Sequence, residues 1–237
     1  DDAATLAALR KAGEFLHASQ YPNGGFPQVY PLRSEGYSAY ITFNDHAMPN
    51  AVRACLLLHR VLKDERYLAA AKRGGDCIVA LQGGDGEAGW AQQYDPVTMK
   101  PAWARNFEPP GYSPAESVGA CDVLVELALA TGDAKYLEPL PKAFAWYEAI
   151  VMADGKRARL YEVGTGTPIY GRRDKAEIVY DRANATDGYS WEGTWYPAKA
   201  ERLYERIQEK GLDAVAAEER EAALRADTAP LMDEAAL

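Results

Sequence analysis

The sequence contains no long apolar run and few of the side chains used in redox or soft-metal chemistry. No apolar stretch approaches the ~20 residues that a membrane-spanning helix requires, so we do not expect an integral membrane protein. Only three histidines occur in 237 residues and no Cys-x-x-Cys pair is present, which argues against a zinc site. The serine-hydrolase elbow, the phosphate-binding loop and the Rossmann glycine fingerprint are absent too, so nothing indicates a nucleotide cofactor.

Positive charge is also in deficit. Lysine and arginine number 26 and aspartate and glutamate 35, which gives a net charge of -9. A chain this acidic is a poor general binder of nucleic acid, and we expect no nucleic-acid partner. If the substrate is a polyanion, a metal cation or a local arginine cluster must offset the repulsion.

The three cysteines are expected to be core residues. Cys55, Cys77 and Cys121 each lie in an apolar, helix-like segment. Small buried thiols are common in such segments, and a disulfide is the alternative. The chain begins at Asp1 without a methionine or an apolar leader. This pattern is expected if a signal peptide has been removed or if the chain is a piece of a longer protein.

Internal repetition predicts the architecture. Residues 15–30 (FLHASQYPNGGFPQVY) and 77–94 (CIVALQGGDGEAGWAQQY) both pass from a helix-like segment through a Gly-rich turn to a Gly-aromatic pair. Residues 64–68 (DERYL) and 133–137 (DAKYL) resemble tight turns in which an aspartate caps the following helix. Apolar residues recurring at intervals of three and four predict helices over 3–19, 45–62, 65–81, 115–130, 134–152, 197–209 and 212–225.

We therefore predict an all-α fold over a single domain, residues 1–237. Tandem helical hairpins pack side by side into a toroid, an α/α barrel-like arrangement, with the long loops on one face. Residues 159–180 alternate in polarity and are rich in glycine, which predicts one short β-hairpin or an irregular excursion there. Functional residues are expected on the loop face.

The segment 40–48 (YITFNDHAM) contains the first candidate site residue, Asp45. Asparagine and aspartate favour the first positions of a helix, so Asp45 could be only a cap. The alternative is that its carboxylate binds a hard cation through oxygen. His46 could ligate a softer metal, but the histidines are too scattered to favour that.

Arginines form the other candidate sites. Arg105 lies between aromatic residues in a loop, where it could pack over Trp103, pair with Glu108 or hold an anionic substrate. Arg172 and Arg173 are adjacent, and paired arginines suit bidentate recognition of carboxylates. Aromatic residues are dense in the same loops and would suit stacking on sugar rings.

Six blocks in chain order resemble polysaccharide lyase family 10, the pectate lyases. They span most of the chain, and their order makes the resemblance specific. The blocks are YPNGGFPQVYPL (21–32), ITFNDHAM (41–48), GWAQQYDPVTMKPAWARNFE (89–108), SPAESVG (113–119), RLYEVGTGTPIYGRRD (159–174) and DGYSWEGTWYP (187–197).

The resemblance implies a toroid of paired helices and a role for each matching residue. Asp45 would be a Ca²⁺ ligand, Arg105 the catalytic base, and Arg172 and Arg173 would bind uronate carboxylates. The implied reaction is anti β-elimination on polygalacturonate: a base removes the C5 proton, the C4–O bond breaks, and a 4,5-unsaturated sugar forms. Further substrate-binding residues are expected at Asn44, Tyr94 and Tyr189.

Two departures from the family pattern leave alternatives open. No counterpart is found for a helical hairpin that precedes the first block in the family, and the arginine usual before the Gly-Tyr pair at 188–189 is missing. A lyase acting on a different polyuronate and a non-catalytic binder of acidic polysaccharide are therefore alternatives. A glycoside hydrolase would need two facing carboxylates, for which Asp45, Asp95 and Glu116 are candidates.

The resemblance also sets expectations about partners and location. We expect an acidic polysaccharide such as polygalacturonate as the partner and no membrane partner. We also expect a monomer that is secreted or periplasmic.

Overall fold

The computed structural model describes residues 2–32 and 36–234, with side chains described as far as residue 225. Most of the regular secondary structure within these ranges is helical. The helices are α1 (Asp2–Ser19), α2 (Ala47–Leu62), α3 (Glu65–Ala80), α4 (Pro114–Thr131), α5 (Leu140–Ala149), α6 (Ala198–Lys210) and α7 (Leu212–Glu234). None of these described helices is long and apolar enough to cross a membrane.

The all-α prediction is wrong, because the long loops pair with one another in antiparallel sheets, and the described helices do not form a clear toroid. The sheets have the orders β1-β2, β3-β5-β6-β7 and β4-β8. Their strands are β1 (Ile41–Thr42), β2 (Gln93–Tyr94), β3 (Gly111–Tyr112), β4 (Arg157–Ala158), β5 (Leu160–Glu162), β6 (Pro168–Gly171), β7 (Ile178–Val179) and β8 (Glu192–Gly193). The physical reason is that buried backbone N–H and C=O groups need partners, and loops that cross the core find them in each other.

The predicted hairpin at 159–180 is part of this larger arrangement. Strand β5 pairs with β6, and Leu160 lies opposite Ile169. Strand β3, about 50 residues earlier in the chain, pairs with the other edge of β5, and Tyr112 lies opposite Tyr161. A second small hydrophobic cluster lies under these strands and includes Trp191. The pairing of β3 with β5, which are far apart in the sequence, could not be predicted from the local sequence pattern.

The two aspartate turns cap as the sequence predicts. Asp64 accepts a hydrogen bond from the backbone N–H of Arg66 at the start of α3. Asp133 accepts one from Lys135. The element after Asp133 is only a short 3-10 helix, Ala134–Leu137, rather than the start of a helix over 134–152. Prolines 139 and 141 end it, and α5 begins only at Leu140.

The core forms where α2, α3 and α4 pack against each other. All three cysteines are buried and free within it, as predicted. Two consecutive glycines of α3 permit the close approach of its neighbours. A Cβ at Gly74 would lie 2.6 Å from Val52 of α2, and one at Gly75 would lie 2.1 Å from Leu127 of α4.

We predict that Gly75→Ala lowers the free energy of unfolding by up to about 2 kcal/mol, the overpacking cost less the gain in helix propensity. The added methyl group overpacks the contact with Leu127 and Tyr136, which outweighs the gain of about 1 kcal/mol in helix propensity. Urea denaturation monitored by circular dichroism measures the change.

Gly84→Ala is the matched control for this substitution. Nothing lies within 4 Å of a Cβ at Gly84 among the described residues. Its free energy of unfolding should change by less than about 0.5 kcal/mol, as for other open surface sites. Equal losses in the two variants would contradict the close-packing interpretation of Gly75.

Candidate functional site

The segment that carries Asp45 is held in an unusual conformation at the entrance to α2. Asp45 and His46 both have left-handed backbones, with φ of 53° and 59°. This conformation costs on the order of 1 kcal/mol for each non-glycine residue, and such residues cluster at functional sites. Asp45 does not cap α2, since the N-cap position is His46 and no side-chain cap is made there. The capping interpretation of Asp45 is thereby ruled out.

Strand pairing brings this segment against the next Gly-rich loop. Strand β1 pairs with β2, with Thr42 opposite Gln93. Beyond the strands, the backbone N–H groups of Phe43 and Asn44 donate to the carbonyl oxygen of Gln92, at 2.8 and 3.2 Å. Residues separated by about 50 positions are therefore fixed side by side.

Side-chain hydrogen bonds continue from Asp45 into the protein. The Asn44 amide donates to Oδ2 of Asp45 at 3.0 Å. The Gln92 amide donates to Oδ1 of Asn44 at 3.4 Å and to the hydroxyl of Tyr189 at 3.2 Å. Asn44 and Gln92 are buried. The amide orientations are thus determined by partners on both sides.

The same series of bonds ends at Arg105. The Tyr189 hydroxyl donates to Oε1 of Glu108 at 2.9 Å. Arg105 donates from Nε to Oε2 of Glu108 at 2.7 Å and makes a second, shorter bond from Nη2 to Oε1. We refer to the whole series as the polar network; its members are Asp45, Asn44, Gln92, Tyr189, Glu108 and Arg105.

Glu108 determines the electrostatic state of Arg105. The Glu108 side chain is only 2% exposed, whereas that of Arg105 is 45% exposed. The hydrogen bonds from Arg105 to Glu108 raise the pKa of the guanidinium above its ordinary value. Arg105 therefore remains protonated in this arrangement. The guanidinium also lies 4.8 Å from the ring of Phe107, rather than over Trp103.

A cavity of about 310 Å³ opens beside Asp45. Its lining also includes Glu116 of α4, Arg159 and Trp195. Glu116 is buried and accepts a 3.0 Å bond from Nη2 of Arg159. Burial raises the pKa of Glu116 to about 7, although the charge of Arg159 acts in the opposite direction.

The paired arginines of the sequence analysis separate in space. Arg172 pairs with Asp174 at 2.6 Å and with Glu177 at 3.8 Å. Arg173 lies 4.4 Å from the ring of Phe107, the same ring that Arg105 contacts. Arg173 is thus next to the polar network, whereas Arg172 is engaged by its local acidic neighbours.

Tyr94 and Asp95, two other candidates, have structural partners. The hydroxyl of the fully buried Tyr94 donates to the carbonyl of Leu81 at 2.9 Å. Asp95 accepts bonds from the backbone N–H groups of Val97 and Thr98, which organise its turn. Neither side chain forms a hydrogen bond with the polar network in the described residues.

Sequence reasoning missed Gln92 and Arg159, and it named Glu116 only as a possible hydrolase carboxylate. Gln92 and Arg159 both lie inside the six blocks, which was the available signal. Nothing local marked them out, because their importance depends on contacts between distant blocks. Asp45 and Glu116 line the same cavity, but an arginine rather than a second free carboxylate is the partner of Glu116.

The family model and the solved structures that match this chain both belong to lyases of acidic polysaccharides. The model of the pectic acid lyase family matches residues 2–158. The solved structure of the family 10 polysaccharide lyase from Cellvibrio cellulosa is similar, with a TM-score of 0.70 and 25% identity over 87% of this chain and 73% of that one. A mutant of that lyase in complex with trigalacturonic acid matches with the same TM-score and identity over 86% of this chain. No curated protein matches.

We predict that Glu116→Gln removes a pH-dependent loss of stability. The folded-state pKa of about 7 exceeds the ordinary value of 4.5, so the folded state binds the proton more tightly. The wild type therefore loses free energy of unfolding relative to the variant as the pH rises from 4.5 through 7, by about 3 kcal/mol in total. Urea denaturation at a series of pH values measures this difference.

Glu126→Gln provides a control of opposite sign. Although burial raises the pKa of Glu126, hydrogen bonds from Arg53 and Lys199 lower it overall. Wild-type stability relative to this variant should be lost as the pH falls through the folded-state pKa. The same slope in both variants would contradict the assignment of the shift to Glu116.

Proposed function

The chain belongs to the pectic acid lyase family and is a polysaccharide lyase, and from that premise we propose that it cleaves polygalacturonate by calcium-assisted anti β-elimination. The observation that carries the proposal is the polar network, which joins Asp45, the proposed metal ligand, to Arg105, the proposed base. The Cellvibrio lyase that this chain resembles has been solved with trigalacturonic acid, which supports a galacturonate polymer as the substrate.

The reaction needs a cation near the substrate carboxylate. Removing the C5 proton places a second negative charge next to a carboxylate, so the transition state depends on positive charge held in place. A protein with a net charge of -9 must also overcome its repulsion from a polyanion. Arg105 and a metal ion at Asp45 would meet both requirements.

The donor set at Asp45 fits calcium. Carboxylate and amide oxygens are the ligands that Ca²⁺ prefers, and Asp45 is hydrogen-bonded to Asn44, whose Oδ1 in turn accepts from Gln92. The buried Oε1 of Gln92 has no hydrogen-bond partner among the described residues, as expected of an atom that binds a cation. Asp45 and Gln92 would hold the ion, which when bound stabilises the negative charge that develops on the uronate.

The described residues supply only part of a calcium coordination shell. No group of three or more His, Cys, Asp or Glu side chains in this part of the chain could hold a metal ion. Calcium takes about six to eight oxygen ligands, so water and the substrate carboxylate would supply the others. We therefore propose weak calcium binding that strengthens when the substrate is present.

Arg105 has two roles in this proposal. In its neutral guanidine form it would accept the C5 proton, and the guanidinium formed by that transfer would hold positive charge next to the developing uronate anion. Because Glu108 raises the pKa of Arg105, proton abstraction requires that this contact weaken or that nearby positive charge lower the pKa again. Tyr189 and Gln92 act as positioning residues, since they orient Glu108 and, through it, Arg105.

The remaining expectations follow from the polymeric substrate. Polygalacturonate is too large to enter a cell intact, so we propose a secreted or periplasmic enzyme. We also propose that residues 1–237 act as one catalytic domain and as a monomer. Residues of the proposed site come from positions 44 to 195 of one chain, which supports this view.

We predict that polygalacturonate incubated with the protein and calcium develops the ultraviolet absorbance of a 4,5-unsaturated product. EDTA should abolish the signal, and Arg105→Ala should lower kcat by about 10²–10⁴-fold, the range for loss of a general base. Arg60→Ala, near the far end of α2, should retain wild-type activity. Activity that survives EDTA would overturn the role of calcium, and an active Arg105→Ala would overturn the assigned base.

We predict that Tyr189→Phe lowers kcat by about tenfold. The variant loses the hydroxyl that connects Gln92 to Glu108, and a lost buried hydrogen bond is worth about 1–1.5 kcal/mol. Tyr180→Phe is the matched control, because the exposed Tyr180 hydroxyl donates to Glu162, which lies outside the polar network. A kcat loss of equal size in the two variants would show that the network does not position Arg105.

A further inference from the structure

A second cavity, of about 490 Å³, lies towards the C-terminal end of α2. Side chains of α2, of the first turn of α3 and of the end of α4 line it together with Arg220 of α7. Because α2 has 16 residues, its two ends are about 24 Å apart, and Asp45 precedes the other end. No residue of the polar network is among the described residues of this lining, so the proposed reaction does not account for it. We call it the leucine cavity, after its lining residues Leu56, Leu57, Leu68 and Leu129.

The leucine cavity offers an aliphatic surface. Leu56 and Leu129 are partly buried and pack against the core, and Leu57 is 44% exposed. No phenylalanine, tyrosine or tryptophan is among the described residues that line the cavity, so it lacks the rings on which sugars stack. Its size falls within the range of about 300–1,000 Å³ that is usual for small-molecule sites. A surface of this kind suits an alkyl chain rather than a sugar.

Positive charge lies at the opening of the leucine cavity. Lys63 and Arg220 are both exposed there, and neither side chain has an ion pair or a hydrogen bond with a described residue. Glu126 is the only carboxylate in the described part of the lining, and Arg53 at 2.6 Å and Lys199 at 2.7 Å already pair with it. In a chain with a net charge of -9, two uncompensated cations beside an apolar surface indicate a site for an anion.

We propose that the leucine cavity binds a single-chain alkyl carboxylate, such as a free fatty acid of medium length. The alkyl chain packs on the four leucines, and the carboxylate accepts hydrogen bonds from Arg220 and Lys63. Arginine presents two parallel N–H groups to a carboxylate, and lysine adds a localised positive charge. A uronate oligomer has no alkyl chain to bury, so it is not the ligand of this cavity. Binding here is independent of the proposed lyase reaction.

The first test measures the contributions of chain length and charge. Octanoate, decanoate and octanol are titrated calorimetrically into the full chain at neutral pH, below the concentrations at which they form micelles. Decanoate should bind about 4- to 15-fold more tightly than octanoate, because one or both of the extra CH₂ groups are buried. Octanoate should bind at least about tenfold more tightly than octanol, the effect of one charge-assisted hydrogen bond.

Charge variants locate the carboxylate. Lys63→Gln and Arg220→Gln should each weaken decanoate binding by roughly tenfold and change octanol binding by less than about twofold. Lys11→Gln and Arg10→Gln are the matched controls, because both side chains are exposed on α1 and lie outside the lining. They remove the same charges and should leave decanoate binding unchanged. All four positions are exposed, so the variants should fold, which circular dichroism checks.

A polar substitution locates the alkyl chain. Leu57→Asn should weaken the binding of decanoate and octanol alike, since both ligands lose an apolar contact. Val61→Asn is its matched control, because Val61 is 41% exposed on the same helix and does not line the leucine cavity. It should leave both affinities unchanged.

Several outcomes would overturn the inference. They are the absence of decanoate binding, equal affinities for octanoate and octanol, unchanged decanoate affinity in both charge variants, and equal losses in the α1 controls. Trigalacturonic acid that competes with decanoate would also overturn it, because the cavity would then hold a sugar acid. Lyase activity on polygalacturonate is measured separately. An inactive protein that binds decanoate as described would overturn the proposed reaction and leave the leucine cavity as an alkyl carboxylate site.

Discussion

The buried carboxylate of Glu108 is the constraint on which the site depends. A carboxylate that is only 2% exposed must be paired and hydrogen-bonded, because burying an unpaired charge is very unfavourable. Glu108 meets that requirement with Arg105 from its own loop and with Tyr189 from more than 80 residues later. Pairing one charge therefore brings two distant loops together and orients the arginine between them.

The same pairing has a chemical consequence. The hydrogen bonds to the buried carboxylate fix the position of Arg105 and raise its pKa, so the guanidinium keeps its proton. This state favours stabilisation of negative charge over abstraction of a proton. The polar network connects this pair to the strained turn at Asp45 through Gln92. A cation or a substrate carboxylate at one end would therefore act on hydrogen bonds that lead to the other. The left-handed backbone at Asp45 is maintained by strand pairing around it, as expected where function rather than stability sets the conformation.

The sequence predicts the helices of this fold better than it predicts the strands formed by the loops. The bounds of five of the seven predicted helices, to within two residues, and the capping roles of Asp64 and Asp133 followed from local patterns, because caps and apolar periodicity act over a few residues. The helix predicted over 134–152 failed at two prolines whose effect is local as well. The sheets escaped prediction because strands of two to four residues carry almost no periodic signal.

For the site, the amino-acid sequence by itself determined the chemical inventory: the family, the acidic charge, and the blocks that hold Asp45, Arg105 and Arg173. It could not distinguish Arg172 from Arg159, since both are arginines inside the same block. Only the tertiary structure decided that Arg172 pairs with its acidic neighbours while Arg159 lies between two rings beside the cavity. The physical reason is that the environment of a side chain depends on strand pairings between segments far apart in sequence, which no local pattern encodes.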